Sequence, residues 1–325
     1  MTLSKVDFEP INRIIQPVLP RFDRLIQSYV FLNLAFFSAI AIETVLLLVF
    51  FTFLVKSSLL AFGLAALFLT LFSYFIFRLY YQTAKPERLK EIRDQFVNSC
   101  KTVVNYREGE AQHHMAVAQA CSRLADNLPG KELSYYRPPK WLETAAPTFE
   151  KFSAWWHWQD VHRMRELLLQ QSVEEYIKMV KCEPTSMEIH AALANAYVML
   201  SSIYALPARD DPWLQYDKYT QSLPEKFRST AQKAIEEFKI ISDYAPNDPW
   251  VHLQLAYSYH DLNMPLEEIR EYESIVRLNP DDKEALYKLG ALYFSQGMNA
   301  KGLRIYDELR KSNFKKAESL IKLYT

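Results

Sequence analysis

Two successive segments of 34 residues, 249–282 and 283–316, share one pattern of small and large apolar residues. The motif Leu-Ala-x-x-Tyr, which begins at Leu255, returns as Leu-Gly-x-x-Tyr beginning at Leu289. A fixed period of this size is typical of helical repeats, each of which buries its apolar face by stacking on its neighbours. The period therefore predicts an all-α chain that contains a solenoid of helix pairs.

An earlier unit, 187–248, shows Leu-Ala-x-x-Tyr from Leu193 but is 62 residues long. The extra residues fall between its two helices, so we expect an insertion at about 205–226 that is either functional or simply flexible. Residues 317–325 continue a helical pattern and are predicted to form the capping helix that such arrays need for solubility. With a degenerate first unit, the predicted repeat domain covers 149–325.

Composition excludes several classes of protein. The 38 basic and 38 acidic residues balance, which removes the basic excess of a dedicated nucleic-acid binder. The three cysteines are odd in number and widely spaced, so they suggest neither a disulfide framework nor a zinc site. The chain has no Gly-rich phosphate loop, nucleophile motif or paired metal-ligand pattern. We therefore predict no enzymatic activity, no cofactor, no metal and no nucleic-acid partner.

Two apolar runs, 30–55 and 59–77, are separated by Lys56 and two serines. Each run exceeds the roughly 18 residues that signal a transmembrane helix. Because a three-residue turn is too short to hold a domain, the two helices are predicted to form a tight transmembrane hairpin, 30–81, in a lipid bilayer. Residues 1–29 are predicted to be a cytoplasmic N-terminal segment.

Charge on either side of the hairpin predicts its orientation. Basic residues are concentrated outside the two runs, and only one lies between them. Those outside are Lys5, Arg13, Arg21 and Arg24 before the first run, and Arg78, Lys85, Arg88, Lys90 and Arg93 after the second. Because cytoplasmic loops are enriched in Lys and Arg, both termini are expected in the cytoplasm. We predict a two-pass protein of the bacterial inner membrane.

Glu43 lies near the middle of the first run, where an ionised carboxylate is costly. It is either part of a proton or ion relay, or a neutral acid that hydrogen-bonds within the hairpin, through Thr70 or Ser73, or to a second copy of it. The second possibility leaves open a homo-oligomer formed through the hairpin.

Residues 82–148 are predicted to link the membrane to the repeats. Apolar residues recur at helical spacing between 89 and 104, beyond Pro86, and again from 114 to 128. The segment 131–148 is rich in proline and is predicted to be an ordered but irregular linker. The aromatic side chains that follow, between 149 and 158, fill a core, serve a partner site or lie at the membrane interface.

The repeat units resemble the tetratricopeptide repeat (TPR) family, in which two antiparallel helices pack through small and large residues at set positions. The resemblance implies a concave groove, lined by the first helix of each unit, that binds a peptide or protein. The groove residues that it implies are Asn195, Met199, Trp250, Leu253, Tyr257, His260, Glu284, Tyr287 and Phe294. A carboxylate clamp is not expected, because Ala191 and Glu284 stand where the clamping lysines would be.

We interpret the chain as a non-enzymatic, membrane-anchored adaptor or scaffold whose cytoplasmic groove recruits a partner. One alternative is a secreted bacterial effector in a host-derived membrane, because the double apolar run resembles the bilobed hairpin of chlamydial inclusion-membrane proteins. The other is a subunit of a membrane transport or assembly complex that uses Glu43. Immunolocalisation separates the first two, and the effect of Glu43→Gln tests the third.

Overall fold

The computed structural model describes residues 9–138, 140–205, 218–312 and 315–324. Within these ranges every regular element is a helix, which confirms the predicted all-α fold. The α-helices are α1 (Glu9–Val49), α2 (Phe51–Leu54), α3 (Leu59–Val103), α4 (Ala111–Asp126), α5 (Ala146–Cys182), α6 (Met187–Tyr204), α7 (Lys218–Tyr244), α8 (Pro249–Asp261), α9 (Pro265–Leu278), α10 (Lys283–Ser295), α11 (Asn299–Lys311) and α12 (Ala317–Ile321). Two 3₁₀ helices, Lys131–Leu133 and Lys140–Ala145, lie between α4 and α5.

The chain divides into two compact units, and the division falls inside α5, after Ser172. Unit 1 contains the hairpin helices α1 and α3, nearly all of α4 and the first part of α5. Unit 2 contains the end of α5 and the helices α6 to α12.

The hairpin helices of unit 1 are longer than the two apolar runs. Helix α1 passes through Pro17 and Pro20, and α3 continues through Pro86 into the amphipathic segment predicted beyond it. A proline inside a helix loses one backbone hydrogen bond and clashes with the preceding turn. Here the packing of the flanking residues offsets that cost, since Leu89 and Phe96 are both buried beyond Pro86.

The first turns of α1 form an amphipathic helix. Ile15, Val18, Phe22 and Ile26 are buried and recur every three or four residues along α1. This spacing places them on one face of the helix. The stretch from Ile15 to Ile26 is therefore part of the packed core of unit 1, a role that the prediction of a cytoplasmic segment over 1–29 did not include.

A glycine allows close packing inside the hairpin. A Cβ added to Gly63 on α3 would lie 2.7 Å from Cδ2 of Leu47 on α1. The small residue therefore serves the contact between α3 and α1 within one chain.

Unit 2 is a TPR-like array of antiparallel helix pairs. Helix α6 pairs with α7, α8 with α9 and α10 with α11, and α12 packs on the last pair. Asp248 and Asp282, 34 residues apart, cap α8 and α10 by accepting hydrogen bonds from backbone N–H groups. Both caps therefore lie one repeat period apart, as the sequence pattern requires.

One part of the predicted insertion is helical. Residues 218–226 belong to the first turns of α7, which continues to Tyr244 and contains Pro224. Residues 206–217, the remainder of the insertion apart from Ala205, lie outside the described residues.

Candidate functional site

The predicted groove residues lie on the first helix of each repeat, which is α6, α8 or α10, and they occupy equivalent positions there. Burial depends on what covers each position. Trp250 and Tyr257 of α8 are 41% and 51% exposed, and Asn195 of α6 is exposed. Met199 and Leu253 are half-buried.

Trp250 and Tyr257 form an aromatic face on α8. Seven residues separate them, so they lie two helical turns apart on one side, about 10 Å along the axis. The inner edge of Trp250 packs against Phe238 of α7, with the ring centroids 6.1 Å apart and the planes at 76°. This contact orients the exposed part of the indole.

His260 lies at the end of the same helix and is exposed. Its Nδ1 is 3.2 Å from Oε2 of Glu268, which is buried on α9. Glu268 occupies a position where TPR units prefer a small residue, and the imidazole at the surface gives its carboxylate a partner.

In the last repeat, the C-terminal segment contacts two of the predicted groove residues. Lys316 donates to both carboxylate oxygens of Glu284 at 2.7 and 2.8 Å. The hydroxyls of Tyr287 and Ser319 are 3.1 Å apart. These contacts hold the C-terminal segment that contains α12 against α10, so Glu284 and Tyr287 already have partners within the chain.

Phe294 belongs to the core and not to the surface. It is 1% exposed and packs with Leu286, Leu309 and Leu320. Its ring also meets Tyr324 edge-on, with the centroids 5.8 Å apart. Phe294 therefore offers no surface to a partner.

Glu43 makes a hydrogen bond across the hairpin. Thr70 on α3 donates from Oγ1 to Oε1 of Glu43 at 2.8 Å. The other oxygen, Oε2, is buried and has no hydrogen-bond partner among the described residues. The contact therefore links α3 to α1 across the hairpin.

A second polar network lies at the base of the hairpin, where the apolar runs end. Asn33 of α1 accepts a hydrogen bond from the hydroxyl of Tyr74 on α3 and donates to the hydroxyl of Tyr136, each at 3.2 Å. Burial raises the pKa of Tyr136, so its phenol stays protonated at neutral pH. Asn33 thereby attaches the segment around Tyr136 to α1 and joins α1 to α3.

The same segment is tied to α1 through Asp23. Lys131 Nζ lies 2.6 Å from Oδ2 of Asp23, and the hydroxyl of Tyr135 donates to Oδ1 at 3.1 Å. Burial and then the negative charge of Asp23 raise the pKa of Tyr135. The phenol therefore remains a hydrogen-bond donor.

An ion pair between a half-buried lysine and a buried aspartate joins α3 to α5. Lys85 Nζ lies 2.8 Å from Oδ2 of Asp160, and His157 Nδ1 lies 3.1 Å from the same oxygen. Burial by itself would raise the pKa of Asp160, but the Lys85 charge and the hydrogen bond from His157 lower it. Burial lowers the pKa of His157, so a neutral imidazole donates from Nδ1 to an ionised carboxylate.

These networks at the hairpin base are functional candidates that the sequence patterns did not predict. Asp23 and Lys131 are 108 residues apart, and Asn33 and Tyr136 are 103 apart. No periodicity links residues so distant. The only signal available was polar or aromatic residues close to the ends of the apolar runs, which alone names no pairs.

Comparison with known proteins finds only remote similarity. No protein-family model and no curated protein matches the chain. Among solved structures, MamA is 13% identical and covers 71% of this chain and 95% of its own, with a TM-score of 0.39. TTC0263, a TPR protein of Thermus thermophilus, is 18% identical over 63% of this chain and 96% of its own, with a TM-score of 0.32. YrrB, a TPR protein with an unusual peptide-binding site, is 14% identical over 69% and 97%, with a TM-score of 0.34.

Independently of these similarities, the helix pairs of unit 2 and their 34-residue period make it a TPR-like array.

Proposed function

We propose that the protein is a membrane-anchored adaptor or scaffold whose TPR-like array binds a protein or peptide partner on the cytoplasmic side of a bacterial inner membrane. The observation that carries the proposal is the aromatic face of α8. Trp250 and Tyr257 remain largely exposed there, although the other large apolar side chains of α8 are buried or half-buried.

The exposed pair has the properties of a binding anchor. Rigid aromatic side chains supply a large part of the energy in protein interfaces at a small cost in conformational entropy. Asn195 on α6 offers an amide for hydrogen bonds at the position equivalent to Tyr257. A partner of mixed chemistry fits this surface: apolar or aromatic side chains against α8 and a polar group towards α6.

The exposed apolar surface of the hairpin supports the membrane anchor. The most apolar 18-residue windows of Arg13–Val49 and Leu59–Val103 have mean hydropathies of 2.2 and 2.3, and 6% of each is buried. A core helix of a water-soluble protein would bury most of such a window. Phe31, Phe53 and Phe62 are each more than 70% exposed, which water disfavours and lipid accepts.

Binding is tested with the full chain purified from native membranes and its co-purified proteins identified by mass spectrometry. We expect Tyr257→Ala, and more strongly Trp250→Ala with Tyr257→Ala, to lose a partner that the wild type retains. Leu303→Ala changes a similarly exposed apolar residue on α11 and is the matched control. Retention of every partner by the double variant, with circular dichroism unchanged, would contradict the proposed surface.

Anchoring and orientation are tested separately. The chain should stay in the pellet after alkaline carbonate extraction. In a variant with the native cysteines replaced by serine, Ser57→Cys should react with a membrane-impermeant maleimide from outside the cell, and Ser312→Cys should react only after the membrane is opened. The opposite labelling pattern would reverse the topology, and carbonate extraction into the supernatant would remove the anchor.

A further inference from the structure

A cavity of about 600 Å³ opens at the base of the hairpin, within unit 1. It lies between α1 and the segment that joins α4 to α5. Its lining residues are Asp23, Gln27, Leu34, Lys131, Ser134, Tyr135, Tyr136, Arg137 and Phe149.

The cavity spans the boundary between polar and apolar surface. Asp23, Gln27 and Leu34 are four and seven residues apart, so they lie on one face of α1. The apolar run begins at residue 30, between Gln27 and Leu34. If the hairpin crosses a membrane, as proposed above, one end of the cavity lies at the level of the lipid headgroups and the other at the level of the first acyl carbons.

The charges that line the cavity favour an anion. Lys131 and Arg137 supply two cations against the single carboxylate of Asp23. Lys131 is already paired with Asp23 at 2.6 Å, whereas the guanidinium of Arg137 is exposed. Arginine presents N–H groups in a planar fork that matches two oxygens of a phosphate.

A neighbouring cavity shows which side of Arg137 suits an anion. That cavity, of about 420 Å³, is also lined by Arg137, but it carries the carboxylates of Glu143 and Glu150. Two negative charges there repel a phosphate. The side that faces Asp23 and Lys131 has its one carboxylate neutralised by an ion pair, so the anion belongs on that side.

The wall that carries Arg137 is held in place before any ligand binds. Tyr136 is hydrogen-bonded to Asn33, and Lys131 is paired with Asp23. Ser153 Oγ accepts hydrogen bonds from the backbone N–H groups of Tyr135 and Tyr136 at 3.1 and 3.3 Å. Because little ordering is left to occur on binding, more of the interaction free energy is available as affinity.

We propose that this cavity binds the phosphodiester headgroup of an anionic glycerophospholipid. Arg137 holds the phosphate, the Gln27 amide donates a further hydrogen bond, and the acyl chains run along Leu34 and the exposed apolar face of α1. The inference rests on the proposed membrane anchor and adds a specific lipid to it.

The test is native mass spectrometry of the full chain in detergent, titrated with dioleoylphosphatidylglycerol or dioleoylphosphatidylcholine. We expect the anionic lipid to bind at least fivefold more tightly than the zwitterionic one, because both carry the phosphodiester but only phosphatidylcholine also brings a quaternary ammonium, which Lys131 and Arg137 repel. Arg137→Ala should remove that preference and Arg137→Lys should retain part of it. Arg24→Ala is the matched control, because Arg24 is exposed on α1 beside Asp23 but does not line the cavity.

Three results would overturn the proposal. The first is equal binding of the two lipids by the wild type. The second is an equal loss of preference in Arg24→Ala and Arg137→Ala, which would indicate general surface charge. The third is displacement of the anionic lipid by 10 mM inorganic phosphate, which would indicate a site for the free anion.

Failure of the anchor is distinguishable from failure of the lipid site. Extraction of the wild type by alkaline carbonate would contradict both the membrane anchor and the lipid site. Retention in the membrane without an Arg137-dependent preference would remove the lipid site alone.

Discussion

His190 on α6 joins two other parts of its repeat unit through the two nitrogens of one imidazole ring. Nδ1 lies 2.6 Å from Oε2 of Glu237 on α7, and Nε2 lies 3.0 Å from the backbone carbonyl oxygen of Pro184. A carbonyl only accepts, so Nε2 carries a hydrogen. The short contact to the carboxylate suits a second hydrogen on Nδ1, which makes the ring an imidazolium.

The next unit repeats this arrangement. His252 Nδ1 lies 2.7 Å from Oε2 of Glu271, and Nε2 lies 3.0 Å from the carbonyl oxygen of Pro246. In the third unit the equivalent positions, 34 residues later, hold Leu286 and Ile305. The array therefore has a polar contact between helices in two repeats and apolar residues at the equivalent positions of the third.

The first prediction concerns pH. Burial lowers the pKa of His190, but the hydrogen bonds to Glu237 and Pro184 outweigh it and the net shift is upward. The contact therefore contributes its full stability below the ordinary histidine pKa of about 6.5 and loses it as pH rises through the raised value. Hydrogen exchange, corrected for the intrinsic effect of pH, gives the free energy of opening of α6 and α7. We expect this free energy to fall by about 1 kcal/mol at alkaline pH.

The apolar unit supplies the control for this prediction. His190→Leu with Glu237→Ile copies the pair found at Leu286 and Ile305. The double variant should keep the protection of α6 and α7 constant over the same range of pH. An undiminished pH dependence in this variant would show that another group is responsible.

The second prediction concerns Gly302, which lies under the ring of Phe294. A Cβ added at residue 302 would be 2.5 Å from Cε1 of Phe294. Glycine to alanine in a helix normally stabilises by about 0.5–1 kcal/mol, but here we expect overpacking to destabilise unit 2 by about 1–3 kcal/mol. Hydrogen exchange of α10 and α11 measures the change.

Phe294→Leu should relieve the clash in this variant, so that Gly302→Ala costs less when it is combined with Phe294→Leu than when it is made in the wild type. Equal costs in the two backgrounds would mean that the ring is not what restricts residue 302.

The third prediction concerns the ion pair between Lys85 and Asp160. Lys85→Met leaves a buried carboxylate without its cation, which typically costs about 3–5 kcal/mol. The melting temperature of unit 1 should fall, as followed with a thiol-reactive dye at the buried Cys100 and Cys121 in a Cys182→Ser background. Lys85→Met with Asp160→Asn should recover most of the loss, because no charge then remains unpaired and the amide oxygen still accepts the hydrogen bond from His157.

Acid should act on the wild type through the same carboxylate. The pKa of Asp160 is lowered in the folded protein, so its stabilising effect is present above the ordinary aspartate pKa and is lost as pH falls through the lowered value. For the ion pair itself, a double variant at Lys85 and Asp160 that melts no higher than Lys85→Met alone would contradict the expected cost of the unpaired carboxylate.

The fourth prediction concerns the hydrogen bond from Thr70 to Glu43. Thr70→Val removes the donor and should weaken the hairpin by about 0.6–2 kcal/mol in lipid, as measured by steric trapping. Thr44→Val is the matched control, because Thr44 is exposed and donates at 2.7 Å to the carbonyl of Ile40 in its own helix. Equal effects of the two substitutions would show that the Glu43 contact adds nothing to hairpin stability.

The predicted array agrees with the structure in those features that depend on the spacing of apolar residues along one helix. The 34-residue echo correctly predicted two helix pairs, because their apolar positions recur with the helical period. The same reasoning placed Phe294 in the groove, because it assigned each position from its place in the repeat and not from the residues that pack against it. Phe294 is buried because the last unit is covered by the segment that contains α12 and Tyr324.

Pro86 lies inside a helix that joins two separately predicted segments. The sequence pattern assigned residues 30–81 to the hairpin and the amphipathic stretch beyond Pro86 to the link, and in the structure α3 runs through both. A proline inside a helix costs about 3 kcal/mol. This cost is smaller than the free energy gained by burying apolar side chains such as Leu89 and Phe96 on the same helix.

The sequence by itself determined the helical class of this chain, the two apolar segments and the phase of the repeats, because each of these follows from the spacing of residues along one helix. Only the tertiary structure decided that Asp23 meets Lys131, that Asn33 meets Tyr136, and which groove positions stay open. Those contacts join residues that are far apart in the chain, and burial depends on what covers a position as well as on the residue that occupies it.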